Sequence, residues 1–231
     1  MLFNSPLSGE RADRIISMLA LDEHSKVLDI GCGEGEFLTR IYQFSHGHCF
    51  GIDINDRSLD RARDKAVMLK AGGKLKYTET DIVKAGLNKN SFDLAVCIGS
   101  THAFGMGDAA YPHALKEMKD LVKPGGLILI GEGFWKREPD QEYLTFIGEP
   151  VGVYNTHEEN ISQAESFHLI SLYAVESNID EWDHFEWSSR MEAELGSNKE
   201  KLDHVRKWNL FYRQYGRTTM GFGFYLFRKE L

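Results

Sequence analysis

The chain lacks the features that mark secreted, membrane-spanning or metal-bound proteins. It has only three cysteines, Cys32, Cys49 and Cys97. They are odd in number, far apart and without metal-ligand spacing, so reduced thiols in a cytoplasmic protein are expected. No run approaches the roughly 20 apolar residues that cross a bilayer, and no membrane partner is expected. Residues 1–14, MLFNSPLSGERADR, carry no apolar stretch of the signal-peptide kind. Positive charge is in deficit, with 27 Lys and Arg against 35 Asp and Glu and a net charge of −8. A phosphate backbone is therefore a poor main partner, and no nucleic acid is expected. His46, His48, His113, His157, His168, His184 and His204 show no ligand spacing, so no metal is expected. There are no internal repeats and no low-complexity tracts. What remains is an ordinary globular composition, at a length that suits one α/β domain with a modest insertion.

What the chain does have is concentrated in residues 27–36, VLDIGCGEGE. Val27, Leu28 and Asp29 read as the end of a buried strand. Gly31, Gly33 and Gly35 follow on alternate positions, and Phe37, Leu38, Ile41 and Phe44 then share one helical face. The unit is a strand, a tight glycine turn and a helix. Bare backbone in the turn lets a ligand approach closely. The helix N-terminus adds unpaired N–H groups and partial positive charge. A nucleotide-like ligand is the expected occupant.

The rest of the chain alternates strands with helices. A helix is predicted over residues 8–20, capped by Ser8. Residues 48–53, HCFGID, form a second strand ending in an acid. Asn55 or Asp56 caps the next helix, whose apolar face is Leu59, Ala62, Ala66 and Leu69, and Gly72-Gly73 stops it. Residues 74–79 alternate as an edge strand does. Residues 92–98, FDLAVCI, are near-continuously apolar, as expected of a parallel strand covered on both faces. A loop over 99–107 leads to a helix capped by Asp108 with Pro112 in its first turn. Pro124-Gly125-Gly126 then turns the chain into a fifth strand at 127–130. After residue 135, Thr156 and Glu159 form a capping-box pair, and residues 168–176 and 218–228 read as strands around a helical insertion at 178–216. The charge runs at 57–65 and 199–207 read as solvated helix faces. The expected fold is α/β and doubly wound. It is expected as a single domain over 1–231, with an N-terminal helix segment at 1–24 and a cofactor-binding core at 25–135.

In such a sheet, ligands bind at the carboxyl ends of the strands. Asp53 there has the acceptors for two ribose hydroxyls, and Asp81 an acceptor for an adenine amino group, with Ile82 against the ring. A dinucleotide would want a third glycine where Glu36 stands. Glu36 and Asp29 both suit a ligand with positive charge and no phosphate. S-adenosylmethionine is such a ligand, with a sulfonium, an ammonium and an adenosine.

VLDIGCGEGE, GIDIN, the TDI at 80–82, FDLAVCIG and LVKPGGLILIGE resemble, in order, the motifs of class I S-adenosylmethionine-dependent methyltransferases. The resemblance is strong over about residues 25–135. It implies a seven-stranded Rossmann-like sheet with an antiparallel last strand, S-adenosyl-L-methionine as cofactor and S-adenosyl-L-homocysteine as product. By motif position, Asp29, Gly31, Cys32, Gly33 and Gly35 would line the methionine part. Asp53 and Ile54 would hold ribose and adenine, and Asp81 and Ile82 the adenine edge. Ile98 and Gly99 would lie beneath the ligand. GEGFW at 131–135 and EWDHFEW at 181–187 resemble a branch of methyltransferases of undefined substrate. No Asn-Pro-Pro-aromatic or Asp-Pro-Pro-aromatic motif follows Ile98, so the chain does not resemble the DNA amino-methyltransferases.

A general base is needed only where the nucleophile must lose a proton. His102, in the loop with Ser100 and Thr101 where the methyl group should point, is the first candidate, and Glu132 the second. Trp135 suits an aromatic wall, since a ring face attracts a cation. Trp182 and Asp183 are expected to close the pocket from the insertion. Each has a plainer alternative: a backbone-bonded loop histidine, a carboxylate on a neighbouring N–H, tryptophans packed under loops, and a helix-capping aspartate. The main expectation is methyl transfer to a small-molecule acceptor. The rivals are an NAD(P)-dependent oxidoreductase and a non-catalytic S-adenosylmethionine-binding protein. The aromatic insertion suits either a lid or a dimer interface.

Overall fold

The computed structural model describes residues 2–231. Seven strands form one sheet: β1 Lys26–Ile30, β2 His48–Asp53, β3 Leu75–Glu79, β4 Phe92–Ile98, β5 Val122–Trp135, β6 Leu169–Glu176 and β7 Met220–Lys229. Their order is β3-β2-β1-β4-β5-β7-β6. The pairs among β1 to β5 are parallel, and β7 is antiparallel to both β5 and β6. The expected sheet, with its antiparallel last strand, is present. Chain order reverses between β1 and β4, which opens a crevice at their carboxyl ends.

Among the described residues, eight α-helices of seven residues or more clothe the sheet: α1 Gly9–Ser17, α2 Glu36–Ser45, α3 Asp56–Met68, α4 Ala110–Leu121, α5 Gln141–Ile147, α6 His157–Ser166, α7 Ile179–Leu195 and α8 Lys199–Phe211. Ile15, Ile16, Leu38, Ile41 and Leu59 from α1 to α3 pack on Val27, Leu94, Val96 and Leu129 on one face. Leu115, Met118 and Ala164 from α4 and α6 pack on Leu28, Ile30, Ala95 and Ile130 on the other. Burying each such Leu or Ile contributes about 1.5–3 kcal/mol. Strand β4 is thus covered on both sides, which is why its sequence does not alternate.

Local signals account for most helix starts. Ser8 accepts from the Arg11 N–H, Asn55 from the Ser58 N–H, and Thr156 with Glu159 forms a full capping box. Asn178 and Glu181 form a second one at the start of α7. Four expectations need correction. Asp108 caps nothing: a short 3-10 turn over Gly107–Ala109 feeds α4 from Ala109, already in helical conformation. Phe44 is 52% exposed, and Tyr42 and Ser45 complete the buried face of α2 instead. The fifth strand runs from Val122, not residue 127. Its Pro-Gly-Gly is a bulge inside the strand, because the register passes from Phe92 opposite Val122 to Leu94 opposite Leu127. Helix α5 carried no clear sequence signal. The insertion is helical, as expected: α7 and α8 lie side by side, joined by Arg206 to Glu194 at 2.8 Å and Lys201 to Glu192 at 2.8 Å.

Candidate active site

The glycine turn leaves β1 with all three glycines in the left-handed region, at φ 68°, 52° and 71° for Gly31, Gly33 and Gly35. They serve different ends. A Cβ on Gly33 would meet nothing within 4 Å, so this backbone is open to a ligand. A Cβ on Gly35 would strike the Tyr77 ring, whose hydroxyl donates to the Gly35 carbonyl at 3.1 Å. Gly35 therefore admits Tyr77 and starts α2; it does not line the cavity.

That cavity, of about 520 Å³, lies over the turn. It gathers Asp29, Gly31, Cys32, Gly33, Asp53, Ile98, Gly99, Ser100 and His102 from separate strand ends. Asp53 Oδ2 accepts from the Gly33 N–H at 2.8 Å and Oδ1 from the Asn55 N–H at 2.9 Å. The carboxylate is thereby fixed, and each oxygen keeps a lone pair for a further donor. Asp29 is buried, and burial first, then the like charge of Asp53, pushes its carboxyl up to about 7. Burial also pushes the Cys32 thiol upward, aided by Asp29 and Asp53. Glu36 lines the cavity too, but Arg40 and Lys65 hold its oxygens at 2.9 and 2.8 Å. Burial raises that carboxyl and those cations outweigh it, leaving it below its ordinary value.

Other expected site residues lie elsewhere. Asp81 caps a 3-10 turn by accepting from the Val83 N–H at 2.9 Å, with Ile82 half-buried behind it. Ile54 is 73% exposed. None of the three lines the cavity, though the Thr80 N–H to Asp53 carbonyl bond keeps the ends of β2 and β3 together. Arg61, from a run read as solvated, instead reaches the cavity wall and pairs with Glu34 there.

A second cavity, of about 340 Å³, adjoins the first, since Asn4, Ser5 and Gly99 line both. Glu132 and Trp182 line it together with Tyr143, Tyr154, Glu186 and Trp208. Glu132 accepts from the Thr101 hydroxyl and from the Gly133 N–H at 2.8 Å. Burial raises its carboxyl to about 7, and the two hydrogen bonds only partly oppose this. Thr101 is buried on Glu132 and lines neither cavity. Trp135 stands behind the wall: its indole N–H donates to the Val151 carbonyl at 2.7 Å and its ring packs edge-on to Tyr143 and Tyr154. Asp183 lines neither cavity. It accepts from Tyr212 at 2.7 Å and from Arg217 at 3.0 Å, tying α7 to the π turn over Tyr212–Gly216 that precedes β7.

Sequence reading passed over Phe3, Asn4 and Ser5, which have no periodic signal yet line the first cavity. It also passed over Glu186. That residue had a signal, standing four positions after Trp182 and hence on the same helical face. Among the described residues no group of three or more His, Cys, Asp or Glu is gathered to hold a metal ion. No described helix is long and apolar enough to cross a membrane.

The donor set fits a cationic adenosyl ligand. Asp29 and Asp53 are neighbouring carboxylates, the second raising the first, neither forms an ion pair among the described residues, and the open backbone of Gly33 lines the same cavity. A pyrophosphate would be repelled here. Comparison with known proteins agrees. Residues 21–185 match the family described as "Methyltransferase domain". The chain is 25% identical over 205 residues to 27-O-demethylrifamycin SV methyltransferase of Amycolatopsis mediterranei, covering 84% of this chain and 71% of that protein. It is 31% identical over 112 residues to sterol 24-C-methyltransferase erg-4 of Neurospora crassa, covering 48% of this chain and 28% of that one. In fold it is similar to an S-adenosylmethionine-dependent methyltransferase of Thiobacillus denitrificans solved with S-adenosyl-L-homocysteine. The TM-score is 0.81 at 21% identity, over 97% of this chain and 93% of the other. The chain belongs to the class I S-adenosylmethionine-dependent methyltransferase family.

Proposed function

We propose that this enzyme transfers the methyl group of S-adenosylmethionine to a small molecule held in the second cavity. The observation that carries this reading is the meeting of the two cavities at Gly99, Asn4 and Ser5. One is lined by glycine backbone and acids, the other by aromatic rings. Asp29, Gly31, Cys32 and Gly33 take the methionine part, and Asp53 takes the ribose hydroxyls with the lone pairs left beside its two backbone bonds. Ile98 and Gly99 form the floor, and the adenine extends past the cavity's rim toward Ile54, Asp81 and Ile82 at the neighbouring ends of β2 and β3. When bound, S-adenosylmethionine supplies a methyl group made electrophilic by its sulfonium.

The chain's own part is to orient the acceptor, exclude water and take up a proton where the acceptor must lose one. Glu132 suits the last task, since it lines the acceptor cavity with a carboxyl that titrates at about 7. His102 is exposed on the cofactor cavity and is the alternative base, with Ser100 beside it. The insertion over 178–216 serves as a lid, contributing Trp182, Trp208 and Tyr212 to the cavity wall. Relatives named for a rifamycin and a sterol support a small-molecule acceptor. The three free cysteines support a cytoplasmic location.

Calorimetric titration tests the cofactor assignment, using S-adenosylmethionine, S-adenosyl-L-homocysteine and NADH on wild type and Asp53→Ala. Both sulfur ligands are expected to bind, and the substitution to weaken them at least tenfold. Binding of NADH alone would sink the reading. Transfer of labelled methyl to a panel of small molecules then separates an enzyme from a binding protein.

A further inference from the structure

The second cavity has a one-sided electrostatic character. Glu186 is 6% exposed, and its carboxylate accepts one protein hydrogen bond, from the Trp208 indole N–H at 3.3 Å. Burial alone lifts that carboxyl to about 7, and among the described residues no cation pulls it back. Glu132 and Glu149 line the same cavity, and no lysine, arginine or histidine does. Trp182, 8% exposed, also lines it, and its indole N–H has no partner among the described residues. Buried donors and carboxylates normally find partners, because leaving them bare costs free energy. Packing supplies no cation for the carboxylates, so they call for a positively charged group on a ligand, whereas the Trp182 indole N–H calls for an acceptor elsewhere on it. Rings make up much of the remaining wall, notably Tyr143, Tyr154, Tyr212 and Phe222, beside Asn4, Ser5 and Met220. Ring faces and desolvated carboxylates share one preference, for positive charge.

We propose that the methyl acceptor is a small molecule with a basic amine on an apolar or aromatic body: it arrives as an ammonium received by Glu186 among the aromatic walls, one N–H proton passes to the Glu132 carboxylate on the same cavity, and the freed nitrogen lone pair takes the methyl group as the C–S bond breaks with its electron pair going to sulfur, which leaves S-adenosyl-L-homocysteine. This rests on the reading of the second cavity as the acceptor site. An ammonium there supplies the missing counter-charge, and a carboxylate or phosphate would be opposed by three acids. About 340 Å³ suits a compact ligand.

Phenethylamine and 2-phenylethanol share a skeleton and differ in charge, so they are the probes. Titrating each into the protein saturated with S-adenosyl-L-homocysteine, followed by calorimetry and by fluorescence of the tryptophans at the cavity, reads the charge preference. Phenethylamine is expected to bind at least tenfold more tightly than the alcohol. Glu186→Gln keeps the side-chain shape and an oxygen for Trp208. It is expected to bring the two Kd values within about twofold while the homocysteine ligand binds as in wild type, which shows that the variant is folded. Equal binding of the two probes to wild type, or a preference that survives Glu186→Gln, would overturn the proposal while leaving the cofactor reading intact. Failure of S-adenosyl-L-homocysteine to bind wild type would overturn the cofactor reading and this one with it. In the methyl-transfer panel, labelled product from amines but not from phenols or carboxylic acids agrees with the proposal, and the reverse pattern refutes it.

Discussion

Arg11 on α1 and Glu181 on the first turn of α7 are joined across 170 residues of sequence: the guanidinium Nε lies 2.9 and 2.8 Å from the two carboxylate oxygens, and a terminal nitrogen 2.8 Å from Oε2. Ser8 donates to the same carboxylate from its backbone N–H at 3.2 Å and its hydroxyl at 2.6 Å. One buried acid thus fastens the helical insertion to the N-terminal segment that carries Phe3, Asn4 and Ser5 onto the cofactor cavity. Burial raises the Glu181 carboxyl, but Arg11 and Ser8 outweigh that and hold it below its ordinary value. A carboxylate depressed in the folded state contributes stability above its unfolded pKa, and that stability is lost as pH falls through the folded value. Glu181→Gln leaves Arg11 without its counter-charge and is expected to cost about 3 kcal/mol at pH 7. The gap from wild type should begin to narrow as pH falls below about 4 and close once the folded carboxyl is protonated. Urea unfolding at pH 7 and pH 3.5 measures both, and an equal loss at the two values would refute the ionic account.

Asp29, proposed to line the methionine part, should make cofactor binding a proton-linked event. With its carboxyl at about 7, part of the unliganded protein carries the proton near neutrality. A cationic ligand beside Asp29 and Asp53 favours the ionised form, so binding should release protons below pH 7 and affinity should rise with pH through that value. Calorimetry at pH 6.5 in two buffers of different ionisation enthalpy reads the release directly. Asp29→Asn should abolish it and weaken S-adenosylmethionine at least tenfold, or about 1.4 kcal/mol. No buffer dependence in wild type would mean that Asp29 does not meet the positive charge.

The glycines of the turn separate binding from folding. Gly33→Ala meets no steric obstacle, so its stability cost is the left-handed conformation alone, about 1–2 kcal/mol. Its methyl group would stand in ligand space, and S-adenosylmethionine should bind at least tenfold more weakly. Gly35→Ala places Cβ 2.5 Å from the Tyr77 hydroxyl and lines no cavity. It is expected to cost about 3 kcal/mol or more, combining overpacking with the same backbone penalty, with affinity little changed in the folded fraction. Unfolding and titration of both variants give the comparison, and matching profiles would contradict the division of roles.

The strands over 25–135 and several helix starts on either side were legible because their signals are local. Buried parallel strands read as apolar runs, acids close the strands, and Ser8, Asn55 and Thr156 mark helix starts by their own side chains. Errors arose where distant contacts decide. Asp183 looked like a pocket residue or a cap, but its partner Arg217 stands 34 positions later across a π turn. Phe44 fits the helical period yet falls beyond the sheet's cover. The bulge at 123–126 depends on the register of β4 against β5, which no single-strand pattern encodes. The second cavity draws on Asn4, Glu132, Tyr154, Glu186 and Phe222 from five separate elements or segments, so only the fold brings it together.

Glu132 offers a pH signature for the chemical step. Its carboxyl, raised to about 7 by burial against the pull of Thr101 and the Gly133 N–H, is competent as a base only when ionised. At saturating cofactor, so that Asp29 does not contribute, kcat for an acceptor that must lose a proton should climb with pH through about 7 and then level. Glu132→Gln should remove that limb and lower kcat by a factor on the order of 10² to 10⁴. Thr101→Val deletes a hydrogen bond that favours the ionised form, so it should keep the limb but move its midpoint upward. The opposite displacement would contradict the assignment. If the limb survives in Glu132→Gln and disappears in His102→Asn, the base is the exposed histidine of the cofactor cavity, and Glu132 is a fixed acid that shapes the acceptor site without taking its proton.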